Sequence, residues 1–107
     1  MTNIVNMMKQ AQELQKKMSE AQEKLKSIEV EGSSGGGVVK VIVNAKGDIK
    51  KIDIDKSLLN PNEKEIAEDL VLAAINDAKN RAENVAAEEM KNLTGGISLP
   101  PGFKLPF

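Results

Sequence analysis

An α+β fold of order αβββα, two long helices flanking a three-stranded antiparallel sheet, is predicted by three observations on this 107-residue chain. Apolar residues recur at helical spacing before residue 28 and again after Pro61, and the stretch between alternates with period two between glycine turns. There is no internal repeat and no linker, so residues 1–107 are expected to form one domain.

The first helix is expected over about 3–28. Ile4, Met7, Ala11, Leu14, Met18, Ala21, Leu25 and Ile28 are spaced alternately by three and four, an a/d seam of almost four heptads. The positions between them are rich in Gln, Lys and Glu, good helix formers, with no Gly or Pro. Strands follow at about 28–32, 38–45 and 49–55. Val39, Val41 and Val43 alternate with Lys40, Ile42 and Asn44, and Ile52 and Ile54 with Lys51, Asp53 and Asp55, leaving one face of each strand for a core. Gly35-Gly36-Gly37 and Lys46-Gly47-Asp48 supply the turns. The second helix is expected over about 61–93. Asn60 is placed to cap it, Pro61 fits the first helical position, and Glu63 can reach back to the cap's N–H. Its apolar residues, from Ile66 to Leu93, end at Gly95-Gly96, and Lys91 sits where the helix dipole favours a cation.

The helix lengths bear on assembly. At 1.5 Å per residue the two helices measure about 39 and about 50 Å, whereas a compact chain of this size has a radius of gyration near ~13 Å. They must therefore project past the sheet. An apolar seam left in water forfeits about 1.5–3 kcal/mol per large side chain, and open sheet edges invite pairing. A homodimer that covers both is the expectation, with Leu14, Met18 and Leu25 as packing residues. The alternative is a monomeric helical hairpin.

Composition sets the chemistry aside. With no His and no Cys, acid–base catalysis at neutral pH needs a strongly shifted Lys or carboxylate, and nothing marks one out, so no enzyme and no small-molecule substrate are expected. Neither a thiolate metal site nor a disulfide framework is possible. The run Gly32-Ser33-Ser34-Gly35-Gly36-Gly37 is followed by Val38 and Val39 where a phosphate loop needs Lys and Ser or Thr, so it reads as a turn. Asp53 and Asp55 lack the Gly and the terminal Glu of a calcium loop, and no metal or cofactor is expected. No run approaches the length of a membrane helix, and the start lacks the features of a signal peptide, which with the absent cysteines points to the cytoplasm.

Binding remains. The net charge of −1 hides an uneven distribution: residues 1–28 are net basic, 29–60 neutral and 61–107 net acidic. Lys9, Lys16, Lys17, Lys24 and Lys26 make the first helix locally basic. Glu13 with Lys17, Glu20 with Lys24 and Asp77 with Arg81 are spaced for i,i+4 ion pairs, which gives part of this charge a structural explanation. Charge alone leaves two readings open, a nucleic-acid surface and a solvated helix face.

The segments MKQAQELQKKM at 8–18, GGGVVKVIVN at 35–44, IDIDKSLL at 52–59, EDLVLAAINDA at 68–78 and LPPGFKLPF at 99–107 together closely resemble the bacterial YbaB/EbfC nucleoid-associated proteins. The resemblance runs over essentially the whole chain in matching order. It implies a tweezer-shaped homodimer whose helices project as arms, and binding of double-stranded DNA in the nucleoid with effects on expression. It carries no catalytic residue. By analogy the DNA contacts fall on the arms: Lys9, Lys16, Lys17, Lys24 and Lys26 on the first helix, with Lys79 and Arg81 on the second. One arginine scarcely permits bidentate guanine reading, so recognition of phosphate and groove shape with low sequence specificity is expected. A protein-interaction module using the arms or tail is the alternative.

The Pro-rich tail at 97–107 holds both large rings, Phe103 and Phe107, in a chain without Trp or Tyr. Pro100, Pro101 and Pro106 favour extended backbone. The tail is expected to clamp the sheet or the dimer junction, the alternative being a free end.

Overall fold

Three valines organise the molecule. Val39, Val41 and Val43 project from one face of the central strand and are fully buried against Ala74, Ala78 and Ala82 of the second long helix. The computed structural model describes residues 2–94 and runs α1 (Thr2–Ser27), β1 (Glu29–Ser34), β2 (Val39–Asn44), β3 (Ile49–Ile54) and α2 (Lys64–Thr94), with single 3-10 turns at Gly35–Gly37, Lys56–Leu58 and Pro61–Glu63. The expectation for Phe103 and Phe107 falls outside the described residues.

The strands form an antiparallel meander in the order β1-β2-β3, with Gly32 opposite Val41 and Val41 opposite Ile52. The register slips by one between Ile42 and Val43, a bulge that leads into the β2–β3 turn. The β1–β2 turn is tighter than the sequence implied. Gly35, Gly36 and Gly37 all take positive φ, and Val38 is helical (φ −70°, ψ −22°), so β1 runs on to Ser34 and β2 begins at Val39. Three consecutive positive φ values are conformations that only glycine adopts without strain.

α2 lies across β1 and β2. Its buried stripe, Ala74, Ala78, Ala82 and Ala86, repeats every four residues. Small side chains let helix and sheet approach closely, and the approach is closest at Gly32, which is buried: a Cβ there would collide with the backbone nitrogen and Cα of Ala78. The helix start is capped by Asn60, whose Oδ1 accepts from the Asn62 N–H at 3.0 Å with Pro61 in the first turn. That turn is 3-10, and the back-bond expected from the Glu63 carboxylate does not form; instead the Glu63 N–H donates to the Asn60 carbonyl.

Among the described residues, α1 is anchored at its C-terminal end only. Leu25 is fully buried with Ala45 and Ala86, and the Ala45 N–H is shared between the Leu25 and Ile28 carbonyls at 3.1 and 3.0 Å. Asn44, buried at the base of the β2–β3 turn, accepts from the Lys46 and Asp48 N–H groups and donates to the Asp48 carboxylate, each at 3.0 Å. Thus the hairpin turn is both a chain reversal and the seat of α1.

Beyond this seat α1 leaves the body. All residues from Asn3 to Lys17 are exposed. The principal extents are 73 × 24 × 17 Å and the radius of gyration is 19.5 Å, far above the compact value. Of the three packing residues expected on α1, only Leu25 is fully buried in the single chain; Met18 is half-buried and Leu14 is 48% exposed. The reason is length, because α2 ends before it can cover the seam.

Candidate nucleic-acid interface

The sequence places five candidate lysines on α1, and the helix sorts them by angle. At 100° per residue, Lys9 and Lys16 lie opposite the a/d seam, about 10.5 Å apart along the axis. Lys17 and Lys24 fall on one flank and Lys26 on the other. All five are exposed.

Their partners differ. Lys24 Nζ lies 2.8 Å from Glu89 Oε2 on α2, a bridge between helices that replaces the expected pair with Glu20. Lys26 Nζ meets Glu23 Oε1 at 3.2 Å. The expected Glu13–Lys17 pair does not form. Lys9, Lys16 and Lys17 therefore have no ion pair within the described residues, and the free positive charge of α1 is concentrated on its projecting half.

On α2 the two candidates are not brought together. Lys79 and Arg81 flank the buried stripe on opposite sides, roughly 160° apart around the helix. Lys79 is exposed and makes no ion pair within the described residues. Arg81 Nε donates to both carboxylate oxygens of Asp77, at 3.1 and 3.2 Å. Asp77 Oδ2 in turn accepts the Ser33 N–H at 3.0 Å, so this pair covers an outward N–H of the edge strand β1. The Ser33 hydrogen bond first, and then Arg81, hold the Asp77 carboxyl below its usual range. The guanidinium is thus committed to the fold, which further reduces any capacity to read guanine edges.

Asp55, read from sequence beside Asp53 on a strand face, lies just past β3. Its Oδ2 accepts from the Ser57 hydroxyl at 2.6 Å and the Ser57 N–H at 3.0 Å, which lowers its pKa. It is a cap for the 3-10 turn. Among the described residues no group of three or more acidic, His or Cys side chains could hold a metal ion.

Sequence reasoning missed an apolar surface. Because α2 covers β1 and β2, the core-facing side of β3 is left open, and Ile52 is 42% exposed. Beside it a groove of about 750 Å³ runs between β3 and the start of α2, lined by Ile54, Leu58, Leu59, Val71, Leu72 and Ile75 among others. Leu59 and Leu72 are largely exposed. The signal was present in Ile66 and Leu72, which fall outside the alanine stripe of α2.

A family model described as the YbaB/EbfC DNA-binding family matches residues 1–97. The chain belongs to the YbaB/EbfC DNA-binding family. This is a family of non-enzymatic, nucleoid-associated proteins. Within it, the chain is 52% identical to a nucleoid-associated protein of Granulibacter bethesdensis and 55% identical to one of Paramagnetospirillum magneticum, in both cases over the full length of each chain. It is also similar to the crystal structure of an uncharacterized protein, HP0035, from Helicobacter pylori, with a TM-score of 0.74 and 29% identity over 83% of this chain and 94% of that one. No helix among the described residues is long and apolar enough to cross a membrane.

Proposed function

We propose that this YbaB/EbfC protein binds double-stranded DNA as a homodimer in the cytoplasmic nucleoid, through the projecting halves of α1. The observation that carries the reading is the set Lys9, Lys16 and Lys17, without an ion pair among the described residues, on a helix that stands clear of the body. The Lys9–Lys16 spacing matches about three base-pair rises of duplex. Lys24, Lys26 and Lys79 are secondary contacts, and Arg81 contributes field rather than a hydrogen-bonding fork. Binding of this kind reads phosphate and shape, with low sequence specificity. The dimer junction forms over the open face of β3 and the adjoining groove, where a second copy removes Ile52, Leu59 and Leu72 from water.

The test is a salt titration of duplex binding by fluorescence anisotropy, from 50 to 200 mM salt. If both arms of a dimer engage three lysines each, six phosphate contacts give a slope of log K against log salt of about −5, a loss of roughly 10³ in affinity over this range. Replacing Lys9, Lys16 and Lys17 by Gln removes most of that slope. Unchanged affinity and slope in the triple variant would instead favour an interaction with another protein, which the exposed acidic side chains Glu65, Glu68 and Asp69 of α2 suit better than they suit DNA. Sedimentation equilibrium at micromolar concentration checks the dimer: a mass of 11.6 kDa, one chain, would remove it.

A further inference from the structure

The apolar seam of α1 continues well past the end of α2. Ile4, Met7 and Leu14 are 67%, 66% and 48% exposed, and Ala11 lies between them on the same face. Lys24 pairs with Glu89 across antiparallel helices, so Thr94, five residues on, stands about level with Ser19. The stretch from Ile4 to Leu14, about 15 Å along the axis, therefore lies wholly beyond α2. Helices of this composition gain most of their stability from packing, and an overhang of four or five turns is marginal in water on its own.

We infer that this seam docks on the same seam of a second copy, the two α1 tips lying antiparallel about a two-fold axis beside Lys9. Register comes first. Antiparallel seams mesh only where an a position of one helix faces a d position of the other, so shifts come in steps of one heptad. Ile4 opposite the partner's Leu14 and Met7 opposite the partner's Ala11 give four layers. One heptad shorter leaves two, and one heptad longer drives the tip to the level of Ala21, past the end of α2. Chemistry comes second. At 100° per residue the seam is bordered by Met8 and Gln15 on one side and by Asn3, Gln10 and Lys17 on the other. In this register Met8 meets the partner's Met8, Gln10 the partner's Gln10, and Asn3 the partner's Lys17. One border is apolar, the other opposes no like charges, and the small Ala11 lets the backbones approach while the adaptable Met7 fills the space beside it. A duplex would need cations along these borders, and a charged partner helix would need the opposite charge there. From Asn3 to Gln15 the border positions carry neither. The surface fits a helix of its own kind.

Four layers are few for an interface, on the low side of the ~1,200 Å² of a stable one. The contact is therefore weak between free chains and gains strength where chains are held side by side, since tethering raises the effective concentration. It goes beyond the DNA-binding reading and stands without it. Lys9 and Lys16 lie opposite the seam, so joined arms present their lysines on the two outer sides. With the junction at β3, each chain has two self-complementary contacts, which link dimers into a row; this consequence alone rests on the proposed dimer.

Disulfide trapping on the full-length chain, without DNA, tests it, because the protein has no cysteine of its own. Bridging needs Cβ atoms within about 4.5 Å, so when Ile4→Cys and Leu14→Cys chains are mixed and oxidised, the disulfide joining the two variants should form roughly five-fold faster than either like-with-like disulfide. Lys9→Cys, on the opposite face, should trap no partner. Hydrogen exchange is the second measurement. Protection of residues 7–14 in the parent should rise with protein concentration and be lost in Met7→Gln/Leu14→Gln, while residues 39–44 keep their rates and so report an intact fold. Like-with-like disulfides that form as fast as the mixed one would overturn the inference. So would protection of residues 7–14 that is independent of concentration, which would assign the seam to its own chain, or equal exchange in parent and glutamine variant at the highest concentration.

Discussion

Gly32→Ala separates two opposite physical effects. Gly32 sits in β1 without a positive φ, so its backbone conformation is open to any residue. On conformational grounds alone, alanine there would stiffen the unfolded chain and add about 0.4–1 kcal/mol of stability. The structure predicts the reverse. A Cβ at Gly32 would lie 2.5 Å from the Ala78 Cα and 2.6 Å from its Cβ, about 1 Å inside ordinary contact. The obstructing atoms include the helix backbone, so no rotamer change relieves them and α2 must lift off β1. Lifting it loosens Ala74, Ala78 and Ala82 from the valines of β2 together. We expect a loss at the upper end of the overpacking range, about 3 kcal/mol, which for a domain of this size lowers Tm by about 12 °C or more. The assay is urea unfolding followed by far-UV circular dichroism at fixed protein concentration. Adding Ala78→Gly should restore little, because the backbone nitrogen and Cα remain in place. Stability at or above that of the parent in Gly32→Ala would refute the close approach.

Further outcomes follow from the same contacts. Leu25→Ala opens a cavity at the seat of α1 and should cost about 2–5 kcal/mol, visible as a lower urea midpoint with α1 amides affected most. Asn44→Ala leaves the Lys46 and Asp48 N–H groups without their acceptor and should cost about 1–3 kcal/mol in the same assay. Asp77 has a depressed pKa in the fold, so the stability it contributes is complete above its ordinary value and is lost as pH falls through the lowered one. Asp77→Asn should therefore flatten the acid side of a Tm-against-pH curve, and an unaltered curve would place that dependence elsewhere.

The element order was legible because local signals agreed with the fold. Alternating valines marked β2, the Asn60-Pro61 cap marked the entry to α2, and the three consecutive glycines marked a turn whose tightness only the positive φ values reveal. What could not be read from periodicity was which apolar residues find partners in one chain. An a/d seam looks the same whether or not a helix lies against it, and the coverage of α1 depends on where α2 ends relative to Leu25, a tertiary distance. Ion pairing failed to be legible for the same reason: Lys24 had a local candidate in Glu20, but the antiparallel helix brought Glu89 closer. The basic stripe was readable as a set of residues, and its division into engaged and free charges was not. Gly32 carried no local mark at all, since a glycine required by a neighbouring helix looks like any other glycine in a strand.

Among the described residues the shared Ala45 N–H and the buried Leu25 confine the attachment of α1 to one end, and this has a mechanical consequence. From Leu25 to Thr2 the rod is about 35 Å long, so every 10° of tilt at its root sweeps the far end through about 6 Å. Leverage of that kind turns a modest rearrangement of the β2–β3 turn into a displacement of several ångströms at the far end of the helix.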